Sequence, residues 1–208
     1  MDFKLNEEQE AIKEAASAFA KTELLPEVIE RDIKCEFPKD LIKKMAEMGF
    51  MGMMVPTAYG GGGMDTLSYV IALEEIAKID ASAAVIMSVN NSLVCWGLER
   101  YGTEVQKKKY LTPLASGKSL GAFALSEPEA GSDATSQKTT AVDKGDHYLL
   151  NGTKNWITNG YSADYYLVIA QTNKEKGHHG ISVFIVERNW EGFEAVSYTH
   201  LRAHETVL

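Results

Sequence analysis

Several residue patterns are scarce in this sequence, and each absence excludes a class of protein. The 208 residues contain two cysteines, Cys35 and Cys95, which belong to no CxxC or Cys/His cluster. That excludes a disulfide framework and a structural zinc site, and both cysteines are predicted to be reduced core thiols. Lys and Arg number 21 against 29 Asp and Glu, giving a formal net charge of −8. The chain therefore lacks the basic footprint of a nucleic-acid-binding protein.

Targeting and membrane-spanning signals are also missing. The N-terminus, MDFKLNEEQEAIKEAA, is amphipathic and acidic, without the features of a signal peptide or an organelle presequence. No run reaches the ~18 apolar residues that a membrane span needs. A cytoplasmic location is therefore expected by elimination.

Nucleotide-loop and metal patterns are not found either. Tyr59 precedes four glycines, but no GK[ST] follows and no GxGxxG is present, so a tight surface loop is favoured. The adjacent His178 and His179 would point opposite ways on an extended chain, and a solvated turn is favoured over a metal site. His147, in a predicted strand, has no candidate partner and is predicted to be structural.

Helical periodicity dominates the first 118 residues. Asn6 with Gln9 and Thr103 with Gln106 read as capping boxes, and Asp65 reads as a further cap. Pro26 is expected to bend the first helix, and a second is expected from about Pro38 to Gly49. The methionine-rich link 48–56 is interpreted as core filling rather than as an adaptable binding surface. Residues 81–101 are predicted to form a central, buried helix.

Strands alternate with turns from residue 119 onward. Two hairpin signals are present, DKGD at 143–146 and Asn151-Gly152. Together with the helical part this predicts an α+β chain: a helical domain (1–118) and a small β-barrel or sandwich domain (119–195). The candidate strands are 120–125, 137–143, 147–151, 153–157, 164–171 and 181–187.

The stretch GAFALSEPEAGSD (121–133) begins as a buried strand and becomes small, acidic and kinked. Glu127 and Glu129 would suit acid–base work as a pair, but Glu127 is better interpreted as tying the loop down. Gly131 and Ser132 are the better functional candidates. Glycine lets a ligand approach the backbone, and serine offers an N–H and a hydroxyl to an anion.

The stretch LNGTKNWITNG (150–160) contains Trp156 in a predicted short strand. Two interpretations stay open for that tryptophan. It is either ordinary core or an aromatic wall against a flat ligand, with the Thr158 hydroxyl directed at the ligand's edge.

Together, these stretches resemble the acyl-CoA dehydrogenase family. The matching segments are MDFKLNEEQEAI, VPTAYGGGGMDTLSY, LERYGTEVQKKKYLTPLASGKSLGAFALSEPEAGSDATS, LNGTKNWITNG and KGHHGISVFIVE. The resemblance extends from residue 1 to about residue 195 and is greatest to the bacterial short-chain, butyryl-CoA type.

The resemblance implies FAD as the cofactor. Phe123, Leu125 and Ser126 would line the flavin, with Gly131 in the same loop, and Ser132 would reach the pyrophosphate region and the acyl-CoA chain. Trp156 and the adjoining Ile157 would pack on the isoalloxazine side, and Thr158 would bond near N5. No metal site is implied.

The implied reaction is α,β-dehydrogenation of an acyl-CoA in fatty-acid β-oxidation. A carboxylate takes the α-proton, a hydride leaves the β-carbon, and electrons pass to an electron-transfer flavoprotein. The resemblance also implies a homotetramer.

The C-terminal sequence departs from this pattern. VSYTHLRAHETVL (196–208) resembles the translation of a sequencing adaptor, so a non-native tail on a truncated gene is expected. The family's glutamate base lies in a C-terminal helical domain that has no match here, so no catalytic residue is assigned and the 208-residue chain is expected to be inactive. The alternative is a non-catalytic module of helices and barrel that binds flavin or acyl-CoA.

Overall fold

The structure, a computed structural model, describes residues 4–196. The chain divides into a helical unit that ends at Ser119 and a second unit, Leu120–Glu194, and each is described by itself. Every strand of the described residues lies in the second unit. The predicted fold class, a helical part followed by a β part, is confirmed.

The helical unit is built from α-helices joined by short π- and 3₁₀-helical segments. The π-helical segments are Ala20–Leu24, Val89–Cys95 and Lys107–Leu111, and Leu25–Glu27 is a 3₁₀ turn where Pro26 bends the chain. The α-helices are α1 (Glu7–Phe19), α2 (Val28–Lys34), α3 (Lys39–Glu47), α4 (Thr66–Ala77), α5 (Ala81–Ser88), α6 (Trp96–Tyr101), α7 (Glu104–Gln106) and α8 (Thr112–Ala115).

The helix starts follow the predicted caps. Asn6 Oδ1 accepts from Gln9 N at 2.8 Å, and Gln9 Oε1 accepts from Asn6 N at 3.1 Å, which completes the capping box of α1. Asp65 Oδ1 accepts from Ser68 N at 2.7 Å at the start of α4. Each cap satisfies backbone N–H groups that the first helical turn leaves without partners.

Two buried asparagines fix the methionine-rich link to the long helical run. Asn91 donates to Phe50 O at 2.8 Å and accepts from Met53 N at 2.9 Å. Asn90 donates to Met51 O at 2.8 Å. Met51 and Met53 are buried as predicted, whereas Met48 is exposed, so core filling describes only part of the link.

The helical run Ala81–Tyr101 is the one segment of the described chain long and apolar enough to cross a membrane by length and composition. Half of its apolar window is buried within the protein, and the side-chain amides of Asn90 and Asn91 are bonded inside the core. These contacts are those of a core helix. The predicted burial is one-sided, because Val85 and Trp96 are about half exposed.

The second unit contains a mixed sheet centred on β4 (Tyr165–Gln171). Strand β1 (Gly121–Ala124) pairs with it in parallel, and β5 (Ile181–Glu187) pairs with it antiparallel along its full length. Strand β2 (Thr140–Asp143) meets the end of β4 through Thr140 and Gln171, and forms an antiparallel hairpin with β3 (Tyr148–Asn151). In the described residues the strands thus form one mixed sheet, which is the β part that the sequence predicted.

The predicted hairpin at residues 143–146 is confirmed. Lys144 N donates to His147 O at 2.9 Å, and Gly145 N donates to Asp143 Oδ1 at 2.7 Å. Cys35 is a correction, because it is exposed at the left-handed C-cap of α2 rather than buried. Cys95 is buried as predicted, and burial raises the pKa of its thiol.

Candidate functional site

The chain reverses in a tight turn after β1, in a segment we call the Glu127 loop (residues 125–137). Glu127 N donates to Ala130 O at 2.9 Å, and Ala130 N donates back to Glu127 O at 3.2 Å. Pro128 and Glu129 form the exposed tip. Glu129 pairs with Lys138 on the surface, whereas Glu127 is buried, so the two carboxylates do not act as an acid–base pair.

Lys154 is bonded to the Glu127 loop at three points. Its ammonium donates to Glu127 Oε1 at 2.7 Å, to Leu125 O at 3.0 Å and to Gln137 Oε1 at 3.1 Å. The side chains of Lys154 and Glu127 are only 11% and 4% exposed. Because an ammonium has three donors, all of its hydrogen-bonding capacity is used here.

The carboxylate of Glu127 is equally well satisfied. It accepts from Lys138 N at 2.5 Å and from Thr139 N at 3.1 Å, in addition to Lys154. Burial alone would raise the pKa of Glu127, but Lys154 and these hydrogen bonds outweigh burial and lower the pKa to about 2. Burial lowers the pKa of Lys154, which the ion pair partly offsets. The short contact and the full set of donors favour the ionised pair, so Glu127 ties the loop down as predicted.

The predicted strand 153–157 is wrong, since the segment is a turn that we call the Trp156 turn (residues 154–159). Asn155 N donates to Ser126 O at 2.8 Å instead of entering a ladder, and Trp156 has φ 57°. Left-handed backbone is uncommon for a bulky side chain and incompatible with a strand. The predicted Asn151-Gly152 hairpin is absent for the same reason, because the segment directly after it is a turn and the next strand of the described chain begins only at Tyr165.

The far end of the Trp156 turn is also anchored. Asn159, at φ 64°, is buried and donates from Nδ2 to Gly121 O at 3.0 Å. Tyr166 OH donates toward Gly160 O at 2.9 Å and Ala163 O at 3.0 Å, which braces the residues that follow. The turn is therefore bonded to the β1 region at both ends.

Several predicted cofactor residues come together through these bonds. Leu125 and Ser126 lie against the Trp156 turn through their carbonyl oxygens. Ile157 packs on the core cluster that contains Ala122 and Ala124. The indole of Trp156 is 66% exposed, which excludes the interpretation as ordinary core.

The other predicted cofactor residues lie farther from the contact between the Glu127 loop and the Trp156 turn. Phe123 alternates with Ala122 and Ala124 along β1, so its side chain leaves the opposite face of the strand, half-buried. Thr158 is half-buried within the Trp156 turn. Gly131 and Ser132 are exposed, beyond the bridge between Glu127 and Ala130.

The two segments have features that fit a bound flavin. One buried side-chain atom in each segment, Gln137 Nε2 and Asn159 Oδ1, has no hydrogen-bond partner within residues 4–196. Buried unsatisfied groups are rare in native proteins and call for a reason. A Cβ built at Gly131 meets nothing within 4 Å, so the backbone there is open to close approach. With the exposed indole and the hydroxyls of Ser126, Ser132 and Thr158, the donor set fits a flat, polar-edged ligand carrying phosphates.

The solvated turn predicted at His178 and His179 agrees with their exposure, but two details of the histidine predictions are corrected. His178 and His179 lie in the 3₁₀ segment Lys174–Gly180 rather than on an extended chain, and their rings are 4.0 Å apart. His147 lies just before β3 and has a partner, since its Nδ1 is 2.6 Å from Asp146 Oδ1. Among the described residues no group of three or more His, Cys, Asp or Glu side chains could hold a metal ion.

Lys154 was missed by sequence reasoning. Its partner Glu127 is 27 positions away, and nothing in local spacing links the two. The available signal was chemical: a lysine between Thr153 and Asn155, close to Trp156, within a largely uncharged stretch.

A helical unit followed by a mixed sheet with two segments that fit a flavin points to the class of FAD-binding proteins. Sequence models of the acyl-CoA dehydrogenase N-terminal domain and middle domain match residues 6–118 and 122–205. The chain therefore belongs to the acyl-CoA dehydrogenase family.

Individual relatives agree with this assignment. The chain is 46% identical to the short-chain specific acyl-CoA dehydrogenase of Clostridium acetobutylicum, covering 93% of this chain and 51% of the relative. It is 45% identical to the caffeyl-CoA reductase–Etf complex subunit CarC of Acetobacterium woodii, covering 90% and 50%. Butyryl-CoA dehydrogenase from Megasphaera elsdenii superposes with a TM-score of 0.88 at 45% identity, covering 92% and 51%.

The chain thus spans about half the length of the relatives it matches. Similar solved structures include complexes with FAD and with FADH2.

Proposed function

We propose that this chain forms the helical and β parts of an FAD-dependent acyl-CoA dehydrogenase acting on a short-chain acyl-CoA. The observation that carries the proposal is the joining of the Glu127 loop to the Trp156 turn through Lys154 and Asn155. That joining sets the Ser126 backbone beside an exposed indole, on a sheet whose relatives bind flavin.

Each predicted site residue then has a distinct task. The indole of Trp156 covers one side of the flavin ring, with Ile157 supporting the turn from the core. Ser126 and Thr158 offer hydroxyls to the ring's polar edge, while Phe123 and Leu125 line it. Gly131 and Ser132 lie against the pyrophosphate region, and Ser132 also contacts the thioester chain. When bound, FAD would accept the hydride that leaves the substrate's β-carbon.

The substrate and the electron acceptor are part of the same proposal. A short acyl chain is supported by the similarity to short-chain and butyryl-CoA dehydrogenases. An electron-transfer flavoprotein as acceptor is supported by the similarity to a subunit of an Etf complex. A cytoplasmic location and a homotetrameric assembly are expectations carried from the sequence.

A titration of the purified chain with FAD tests the site. Trp156→Ala is expected to raise the FAD dissociation constant by about five- to 150-fold, because stacking on an aromatic side chain contributes about 1–3 kcal/mol. Trp190→Ala is the matched control, since Trp190 is also about half exposed in the same unit but is not assigned to the site. Equal affinities for the two variants would contradict the proposed site.

A further inference from the structure

We propose that Lys154 is a positioning residue that fixes the backbone presenting Trp156 and Thr158. Its three hydrogen bonds all end on the Glu127 loop, at Leu125 O, Glu127 Oε1 and Gln137 Oε1. The inference rests on the proposed function in one respect, because that function assigns Trp156 and Thr158 to the flavin. Lys154 is not placed in contact with the ligand.

The bonds of Lys154 lie directly next to the strained residue. Asn155 N donates to Ser126 O, and the following residue, Trp156, has φ 57°. Backbone in this region persists only where the surroundings over-determine it. Lys154 and Asn155 fix the entry to the turn, and the bond from Asn159 to Gly121 O fixes its exit. Trp156, Ile157 and Thr158 lie between two anchored ends.

A lysine at position 154 is also explained by the negative charge of the Glu127 carboxylate that it contacts. Glu127 is 4% exposed, and Lys154 is the cation that pairs with it. A neutral replacement of Lys154 alone would leave a buried carboxylate unpaired and would destabilise the unit for that reason. A double variant that neutralises both charges separates positioning from the cost of the unpaired charge. The single amide oxygen of Glu127→Gln can replace only one of the two carboxylate oxygens that accept from Lys138 N and Thr139 N, so one of these bonds is lost.

The first arm of the experiment needs no cofactor. In a chain carrying Trp96→Phe and Trp190→Phe, Trp156 is the remaining tryptophan, so its emission reports on the turn. The variants are Lys154→Met, Lys154→Met with Glu127→Gln, and Lys154→Arg. Lys176→Met is the control, since Lys176 is exposed in the same unit. We expect a shift in Trp156 emission for both methionine variants, a smaller shift for Lys154→Arg and none for Lys176→Met.

The second arm measures FAD. For the folded double variant we expect the dissociation constant to rise about fivefold or more and the visible circular dichroism of bound flavin to change. Lys154→Arg should retain most of the affinity. A change in melting temperature alone, with unchanged affinity and flavin spectrum, would show a merely structural role.

The outcomes are distinguishable from failure of the proposed function. If the unaltered chain binds no FAD, the proposed function fails, while Trp156 emission still tests whether Lys154 fixes the turn. If the unaltered chain binds FAD and the folded double variant shows neither an emission shift nor a loss of affinity, the positioning role of Lys154 is overturned.

Discussion

Gly152 and Gly131 are both exposed glycines in the region of the candidate site, but their surroundings differ. A Cβ built at Gly152 lies 2.3 Å from Thr139 Oγ1 and 2.6 Å from Thr139 Cα, whereas one built at Gly131 meets nothing within 4 Å. We therefore expect Gly152→Ala to lower the free energy of unfolding by about 1–3 kcal/mol, since the backbone of Thr139 must move. We expect Gly131→Ala to change it by less than about 0.5 kcal/mol.

For FAD affinity, measured on the folded variants, we expect the reverse: Gly131→Ala should have the larger effect and Gly152→Ala the smaller. Gly131→Ala adds a methyl group where the ligand is proposed to approach the backbone, so its dissociation constant should rise about tenfold or more. Urea unfolding and FAD titration on the same two variants give both comparisons. If Gly131→Ala binds FAD with an unchanged dissociation constant, Gly131 is not part of the proposed site.

Single residues also show which structural features could be predicted from the sequence. The caps at Asn6, Asp65 and Thr103 were predicted correctly, because a cap bonds within three residues and the spacing is written in the sequence. The conformation of Trp156 was not readable, since it depends on bonds to Ser126 and through Lys154 to Glu127. Local propensity favoured a strand there, and tertiary contacts overrode it.

At the scale of elements, the Glu127–Lys154 ion pair connects the Glu127 loop to the Trp156 turn, and its contribution to the free energy of unfolding depends on pH. The pKa of Glu127 in the folded chain is lowered to about 2, below the value of about 4.3 for an unperturbed glutamate. A lowered pKa contributes stability that is present above about pH 5 and is lost as pH falls toward 2. The shift of roughly two units corresponds to about 3 kcal/mol for this nearly inaccessible carboxylate.

The measurement is the free energy of unfolding from urea titrations between pH 7 and pH 3. We expect the difference between the unaltered chain and Glu127→Gln to be about 3 kcal/mol at neutral pH and to shrink steadily as the pH approaches 3. Glu129→Gln is the control, since Glu129 is exposed and pairs only with the surface residue Lys138. A difference that stays constant over this range would mean that the Glu127 carboxylate is not the titrating group.

At the scale of the whole molecule, the sequence predicted correctly that a helical unit precedes a β unit. It predicted less well how the strands of the second unit pair. Helical periodicity and strand alternation are local, so most elements, such as α3 and β5, were found close to their observed bounds. The pairing of β1 and β2 in parallel with β4 is non-local, and a single mixed sheet was therefore not distinguished from a barrel or sandwich. The candidate site shares this property, since its two segments meet only through tertiary hydrogen bonds.

The same contacts predict how the 208-residue chain behaves toward substrate. Removal of the α-proton of an acyl-CoA needs a carboxylate free to accept it, with a pKa suited to the task. Glu127, the buried carboxylate beside the candidate flavin site, has both oxygens engaged and a pKa lowered to about 2, which makes it a poor base. Anaerobic mixing of the FAD-loaded chain with butyryl-CoA tests whether another carboxylate serves as the base. If none does, most of the flavin absorbance should stay unchanged, whereas dithionite should bleach it. Rapid bleaching by butyryl-CoA would show that this chain supplies its own base, and would exclude the alternative of a module that binds without chemistry.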